Sequence, residues 1–119
     1  MTDIITAKIK TEEKSVILIV DDEPNVLEVV KEMLENENLD ILAAYSVAEA
    51  KSILYRQNIN IVLTDMLLGD GSGVDLLKEA KKIHPESQVI LMTGRPSIQT
   101  AISVLKLGAY DYLIKPFGI

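Results

Sequence analysis

Three carboxylates stand in a row at Asp21, Asp22 and Glu23, with a fourth at Asp65, a hydroxyl at Thr93 and an ammonium at Lys115, and each group follows a short apolar run. If those runs are neighbouring strands of a parallel sheet, about 4.8 Å apart, the groups converge at its carboxyl edge. Carboxylates crowded in this way repel, and nothing in the folding of a sheet requires them, so a cation is expected to resolve the repulsion. The candidate ligands are all hard oxygens, and the chain has one histidine and no cysteine. That set favours magnesium or manganese over zinc. Magnesium keeps several waters and commonly shares its shell with a phosphate group. One carboxylate then suits a nucleophile toward phosphorus, with the metal and a lysine neutralising the phosphoryl oxygens and a hydroxyl donating one hydrogen bond. Asp65, Lys115 and Thr93 suit these three roles. Taken singly, each has a plainer use: Asp65 and Thr93 as turn residues, Asp21 and Asp22 as caps on a following helix, Lys115 as a solvated charge. It is the conjunction at four strand ends that favours a site.

The elements that must position these groups are legible as a repeating pattern. Runs rich in Val, Ile and Leu occur at 16–20, 61–63, 89–92 and 110–114, with a weaker one at 39–45, and read as strands buried on both faces. Between them lie residues at helical spacing: Val26, Val30, Met33 and Leu34; Ala50, Ile53 and Leu54; Val74, Leu77 and Ala80; Ile98, Ala101, Ile102 and Leu105. Ser46 with Glu49 and Ser72 with Asp75 fit capping boxes, Pro24 fits a first helical position, and His84-Pro85 marks a helix stop. The lone His84 is read as solvated rather than as a ligand. Alternating strands and helices imply right-handed crossovers and an α/β, doubly wound, five-stranded parallel sheet. The chain ends at Gly118 and Ile119, directly after the fifth strand, so a fifth helix is read as missing. Residues 15–119 are expected to form one domain, and 1–14, with balanced charge, a mobile arm.

Composition narrows the function classes. A chain of 119 residues with 48% hydrophobic content suits one domain burying roughly two thirds of its unfolded surface. A net charge of -6 argues against direct binding to nucleic acid or an anionic membrane. Zero cysteines exclude disulfides, thiolate metal sites and a thiol nucleophile. No apolar run approaches the ~20 residues of a membrane span, and the first 14 residues do not read as a secretory signal, so a cytoplasmic protein is expected.

Four motifs carry a family resemblance: Val20-Asp21-Asp22-Glu23-Pro24, Leu63-Thr64-Asp65-Met66, Met92-Thr93-Gly94, and Gly108-Ala109-Tyr110-Asp111-Tyr112-Leu113-Ile114-Lys115-Pro116-Phe117. In type and spacing, across 15–117, they resemble the receiver domain of two-component response regulators. The resemblance implies a flavodoxin-like sheet of strand order 2-1-3-4-5. It implies that Asp65 accepts a phosphoryl group from the phosphohistidine of a sensor histidine kinase or phosphotransfer protein. Asp21, Asp22, Asp65 and the backbone carbonyl of Leu67 would hold Mg2+, with Mn2+ as a substitute. Lys115 would contact the phosphoryl oxygens, Thr93 would move toward them, and Tyr112 would be the aromatic switch whose ring turns inward. A cis peptide between Lys115 and Pro116 is implied as well, a form that only X-Pro bonds adopt at small cost. Leu67 and Arg95 match the positions that tune phosphoryl lifetime, and since Leu67 cannot orient a water by its side chain, slow dephosphorylation is expected. The signal would be read on the face of the fourth helix and fifth strand, by a downstream output domain or in a homodimer.

Two departures stand out. Where many members of that family carry proline four residues after the acceptor, this chain has Gly69, in the segment Gly69-Asp70-Gly71-Ser72-Gly73, which is expected to be looser. The absent fifth helix should uncover apolar side chains on one sheet face, for a partner chain, the N-terminal arm or further sequence of a longer parent to cover. The stretch 93–117 resembles receivers attached to ATPase-type transcription activators. The reading is thus a phosphoacceptor switch rather than an enzyme. The alternatives are a non-phosphorylated interaction module of the same fold, against which the intact acidic set argues, and a flavin binder or aspartate-nucleophile phosphatase. The acidic loop after the first strand disfavours the flavin binder, and Leu67 stands where the phosphatase needs an acid.

Overall fold

The computed structural model describes residues 14–35 and 37–115. The arm before Lys14, the bond from Lys115 to Pro116 and the end of the chain lie outside the described residues. Five strands, β1 (Ser15–Val20), β2 (Leu39–Ala44), β3 (Ile61–Asp65), β4 (Gln88–Thr93) and β5 (Asp111–Ile114), form one parallel sheet in the order β2-β1-β3-β4-β5. Four helices alternate with them: α1 (Pro24–Leu34), α2 (Val47–Arg56), α3 (Gly73–Ile83) and α4 (Ile98–Lys106). This is the doubly wound, flavodoxin-like architecture that the sequence predicts. None of these helices is long and apolar enough to cross a membrane.

Side chains of a strand alternate between faces, so the unbroken apolar runs of the central strands serve two cores at once. Ile17, Ile19, Leu63, Ile90 and Met92 pack with Leu27, Val30 and Leu34 of α1 on one face. Leu18, Val20, Val62, Val89 and Leu91 pack with residues of α2, α3 and Val104 of α4 on the other. The chain therefore leaves β1 over one face and returns to β3 over the opposite one. A crevice opens between the carboxyl ends of β1 and β3, where the crossovers diverge. A short hairpin of Leu67–Leu68 and Gly71–Ser72 closes over this edge just after β3.

Local chemistry fixes the helix starts. Ser72 and Asp75 form the complete capping box on α3, and Pro24 opens α1. The Ser46 hydroxyl accepts from Glu49 N–H, but the Glu49 carboxylate reaches past the cap to Tyr45 N–H, at 2.9 Å. Ser97, unremarked in the sequence, caps α4 by accepting from Thr100 N–H.

Three expectations need correction. In α4 only Val104 is buried, while Ile98, Ile102 and Leu105 point to solvent. Apolar residues lie on more than one side of this helix, and at the sheet margin Val104 is the one that meets the core. On the face served by α1, Leu63, Ile90 and Met92 are fully buried, while Ile41 and Ala43 of β2 and Leu113 of β5, toward the two sheet margins, are half-exposed. His84 is half-buried rather than solvated, with Nε2 2.7 Å from the Leu54 carbonyl oxygen at the end of α2. The glycine-rich segment after Asp65 is not loose, because the hairpin pairs Leu67 with Ser72 and Leu68 with Gly71.

Gly73, the first residue of α3, sits so close to β3 that a Cβ there would collide with the Asp65 carbonyl oxygen and meet Leu91 Cδ1 at 2.9 Å. Gly73→Ala should lower stability by about 1–3 kcal/mol through overpacking. At Gly69 the added carbon would find only Asp22 Oδ2, at 4.0 Å. Gly69→Ala should then stay within about 0.5 kcal/mol of the parent. Urea midpoints of the two variants check the contrast, and equal midpoints would contradict the described approach of α3 to Asp65.

Candidate functional site

Each polar group of the site is set by the strand that precedes it. Asp21 follows β1 directly, its N–H donating to the Ala44 carbonyl of β2 at 3.1 Å as though the ladder ran one residue further. Its side chain is fully buried, and Oδ1 accepts from Glu23 N–H at 2.9 Å, fixing the turn into α1. Asp65 closes β3, and its Oδ1 accepts weakly from Leu67 N–H at 3.4 Å. Thr93 closes β4 beside Ile114 of β5, so the Lys115 N–H donates to the Thr93 carbonyl at 2.7 Å. That bond delivers the Lys115 side chain into the crevice.

There the Lys115 ammonium donates to Asp65 Oδ2 at 3.0 Å and lies 2.8 Å from Asp21 Oδ2 and 3.7 Å from Glu23 Oε1. Asp21 Oδ2 has no partner aligned for a hydrogen bond, so the ammonium holds it as an ion pair only. One oxygen from each of Asp21, Asp22, Glu23 and Asp65 lies within 4.8 Å of the others. At an effective dielectric near 20, like charges at that separation repel by roughly 3 kcal/mol per pair or more. One ammonium cannot balance four carboxylates. The set of hard oxygens, with one buried oxygen left unaligned, fits a small divalent cation.

A cavity of about 260 Å³ opens above the cluster, lined by Asp22, Glu23, Asp65, Leu67, Thr93, Gly94, Arg95 and Lys115. Leu67 is 69% exposed at its rim. The Thr93 hydroxyl accepts from Arg95 N–H at 3.0 Å, which leaves its own proton free to donate. Tyr112, half-buried against the core, stands apart from the carboxylates, and its hydroxyl accepts from Ser97 N–H at 3.3 Å. The segment from Thr93 to α4 is thus held at both ends by a hydroxyl. All the residues singled out in the sequence meet in the crevice except Tyr112, which meets the loop leading out of it. Glu23, named in the sequence among the converging carboxylates but outside the ligand set that the resemblance implies, also reaches the cluster.

Burial is the main influence on the Asp21 carboxyl and raises its pKa above the ordinary 3.8; the Lys115 ammonium and Glu23 N–H pull it back without offsetting burial, and the Asp65 charge adds to the rise. Burial also opposes the Lys115 charge, but its contacts with Asp21 and Asp65 prevail and raise its pKa above 10.5.

With this geometry in hand, comparison with known proteins gives a consistent picture. The sequence profile described as "Response regulator receiver domain" matches residues 17–119. The chain is 44% identical over 102 residues to the response regulator protein PilR of Pseudomonas aeruginosa, covering 86% of this chain and 23% of that protein. It therefore spans about a quarter of the length of the curated relatives it matches first. Among solved structures, a response regulator protein from Burkholderia pseudomallei with a phosphorylated aspartic acid, calcium ion and citrate is similar at a TM-score of 0.80 and 27% identity, over 87% of this chain and 61% of that one. The beryllofluoride-activated NtrC4 receiver domain dimer is similar at a TM-score of 0.81 and 33% identity, over 86% of this chain and 84% of that one.

The two shifts act in opposite senses on stability. A carboxyl with a raised folded pKa keeps in the native state a proton that the unfolded chain has lost, so stability falls as pH rises from 3.8 through the folded value. Lys115, raised in the fold, contributes fully below 10.5 and loses that contribution only at higher pH. In chelator, Asp21→Asn should therefore be more stable than the parent at neutral pH, by about 1 kcal/mol. The gap should close as pH falls toward 4. Urea midpoints of both proteins across that range check it, and a gap that widens on acidification would contradict the assignment.

Proposed function

This chain belongs to the receiver domain family of two-component response regulators and is a phosphoacceptor signalling switch, and we propose that its acceptor is Asp65. The observation that carries this reading is the Lys115 ammonium bridging Asp65 and Asp21, at 3.0 and 2.8 Å, inside an open acidic crevice. Burial of Asp65 on all sides but the cavity leaves one approach for a phosphorus atom. A carboxylate oxygen of Asp65 attacks that phosphorus in line. The new O–P bond forms as the P–N bond of a phosphohistidine, or the P–O bond of a small acyl phosphate, breaks. The leaving group departs with the bonding pair, and a leaving imidazole then takes up a proton. The product at Asp65 is an acyl phosphate.

In this reading Asp21, Asp22, Asp65 and the Leu67 backbone carbonyl hold Mg2+, for which Mn2+ substitutes, with Glu23 beside them. A bound divalent ion supplies charge neutralisation at the phosphoryl oxygens and an orienting template. Lys115, already on Asp65 Oδ2, neutralises a further phosphoryl oxygen. Thr93 gives up its bond from Arg95 N–H to donate its free proton to the phosphoryl group, and Tyr112 follows as the aromatic switch, releasing Ser97 N–H. Adding roughly two negative charges at one strand end thereby rearranges the segment 93–97 and α4 behind it.

The phosphoryl source is a sensor histidine kinase or phosphotransfer protein, met in the cytoplasm, and the readout is an output domain or a second receiver at α4 and β5. PilR is named a response regulator, and other matched relatives are named transcriptional regulatory proteins. The domain turns over no separate substrate. Its own dephosphorylation, by water attack at phosphorus with Asp65 leaving as carboxylate, is slow, because the exposed Leu67 side chain has no group to orient that water and Arg95 only lines the rim.

Incubation with Mg2+ and a small acyl phosphate should add the mass of one phosphoryl group to the parent chain and nothing to Asp65→Asn. Modification that persists in Asp65→Asn would sink the assignment of the acceptor. The phosphorylated chain, freed of donor, should lose its label over minutes or longer, and Leu67→Asn should shorten that lifetime. A parent half-life of seconds would contradict the role given to Leu67.

A further inference from the structure

The segment that links Asp65 to α3 has glycine at 69, 71 and 73, a composition that is costly to order. Its first residues carry Asp65 and Leu67, whose relative placement decides whether a carbonyl and a carboxylate can serve one cation. The hairpin pairs only two residues on each side, and so short a ladder is marginal by itself. Its tip is held from elsewhere. Asp70 reaches across to α2, where Oδ1 accepts from Val47 N–H at 2.8 Å and Oδ2 from Ala48 N–H at 3.0 Å.

These are the first two residues of α2, whose N–H groups have no partner within the helix. Ser46 takes the third, from Glu49, so the donors are divided between a local cap and a carboxylate more than 20 residues away. Both bonds are charge-assisted and sit at the positive end of the helix dipole. The same two N–H groups hold the Asp70 carboxyl below the ordinary carboxylate range. The helix that provides the anchor is firm, with Val47, Ala50, Ile53 and Leu54 all in the core. Gly71 lets the segment come this close, since a Cβ there would stand 3.1 Å from Val47 Cγ2.

We propose that Asp70 is a positioning residue for the cation site: by pinning the hairpin tip to the start of α2, it holds the backbone of Leu67 in register with Asp65. The inference rests on the reading above, in which the Leu67 carbonyl is a ligand. Asp70 itself touches neither cation nor phosphoryl group. Its removal leaves all four clustered carboxylates in place and frees only the segment that supplies the carbonyl.

The test is a Mg2+ titration, followed by amide shifts or calorimetry, of the parent, Asp70→Ala, Asp70→Asn and Ser46→Ala. Asp70→Ala should weaken Mg2+ binding about five- to tenfold, near the low end for groups that orient metal ligands. Asp70→Asn, which keeps one acceptor oxygen, should recover part of that loss. Ser46→Ala removes a cap from the same helix without touching the hairpin, so it should lower the thermal midpoint while leaving Mg2+ affinity within about twofold of the parent. Unchanged affinity in Asp70→Ala would overturn the proposal while leaving the site reading intact, and so would an equal loss in Ser46→Ala, which would trace the effect to helix stability. If the parent itself shows no saturable Mg2+ binding, the site reading fails and this inference fails with it.

Discussion

The interaction on which the rest of the structure turns is the contact of one ammonium with carboxylates from two adjacent strands. Asp21 is fully buried, and an isolated carboxylate there would be untenable without a compensating charge. Lys115 provides that charge, and it can do so only because its backbone is tied to Thr93 and because β5 lies one strand beyond β4. The compensation is partial. Four acids and one base make a crevice that is held together yet left short of positive charge, which is the condition of a site that accepts a cation.

Seen from the sheet, this arrangement has little freedom. The crossover switch between β1 and β3 opens the crevice, the unbroken apolar strands bury its floor, and the close seat of Gly73 against the Asp65 carbonyl keeps α3 tight behind that residue. The hydroxyls of Thr93 and Tyr112 both accept from N–H groups of the segment leading into α4. In the proposed reading, a change at the strand ends reaches α4 by exchange of these hydrogen-bond partners.

The strands were legible because residues such as Ile17 to Val20 must satisfy two cores, and only a near-continuous apolar run does so. The gathering of Asp21, Asp22, Asp65, Thr93 and Lys115 was legible because parallel strands put all their carboxyl ends on one edge. Other features depend on contacts that spacing does not encode. Periodicity shows that α4 has apolar residues at Ile98, Ile102 and Leu105, but not that Val104 is the one turned toward the sheet. Nothing near His84 in the chain announces the Leu54 carbonyl it meets, and nothing near Asp70 announces α2. Glu23 was visible in the acidic run, and only the ligand set implied by the resemblance leaves it out.

The excess of acid in the crevice has a kinetic consequence. A phosphoryl donor is an anion, and on approaching a chain of net charge -6 through a rim that includes Asp22 and Glu23 it meets a rising potential. A divalent ion held among the four carboxylates, beside the one ammonium, would remove most of that excess of negative charge. In the proposed reading, a cation bound first eases the approach of an anionic donor, which would tie productive encounters to the free concentration of divalent ions.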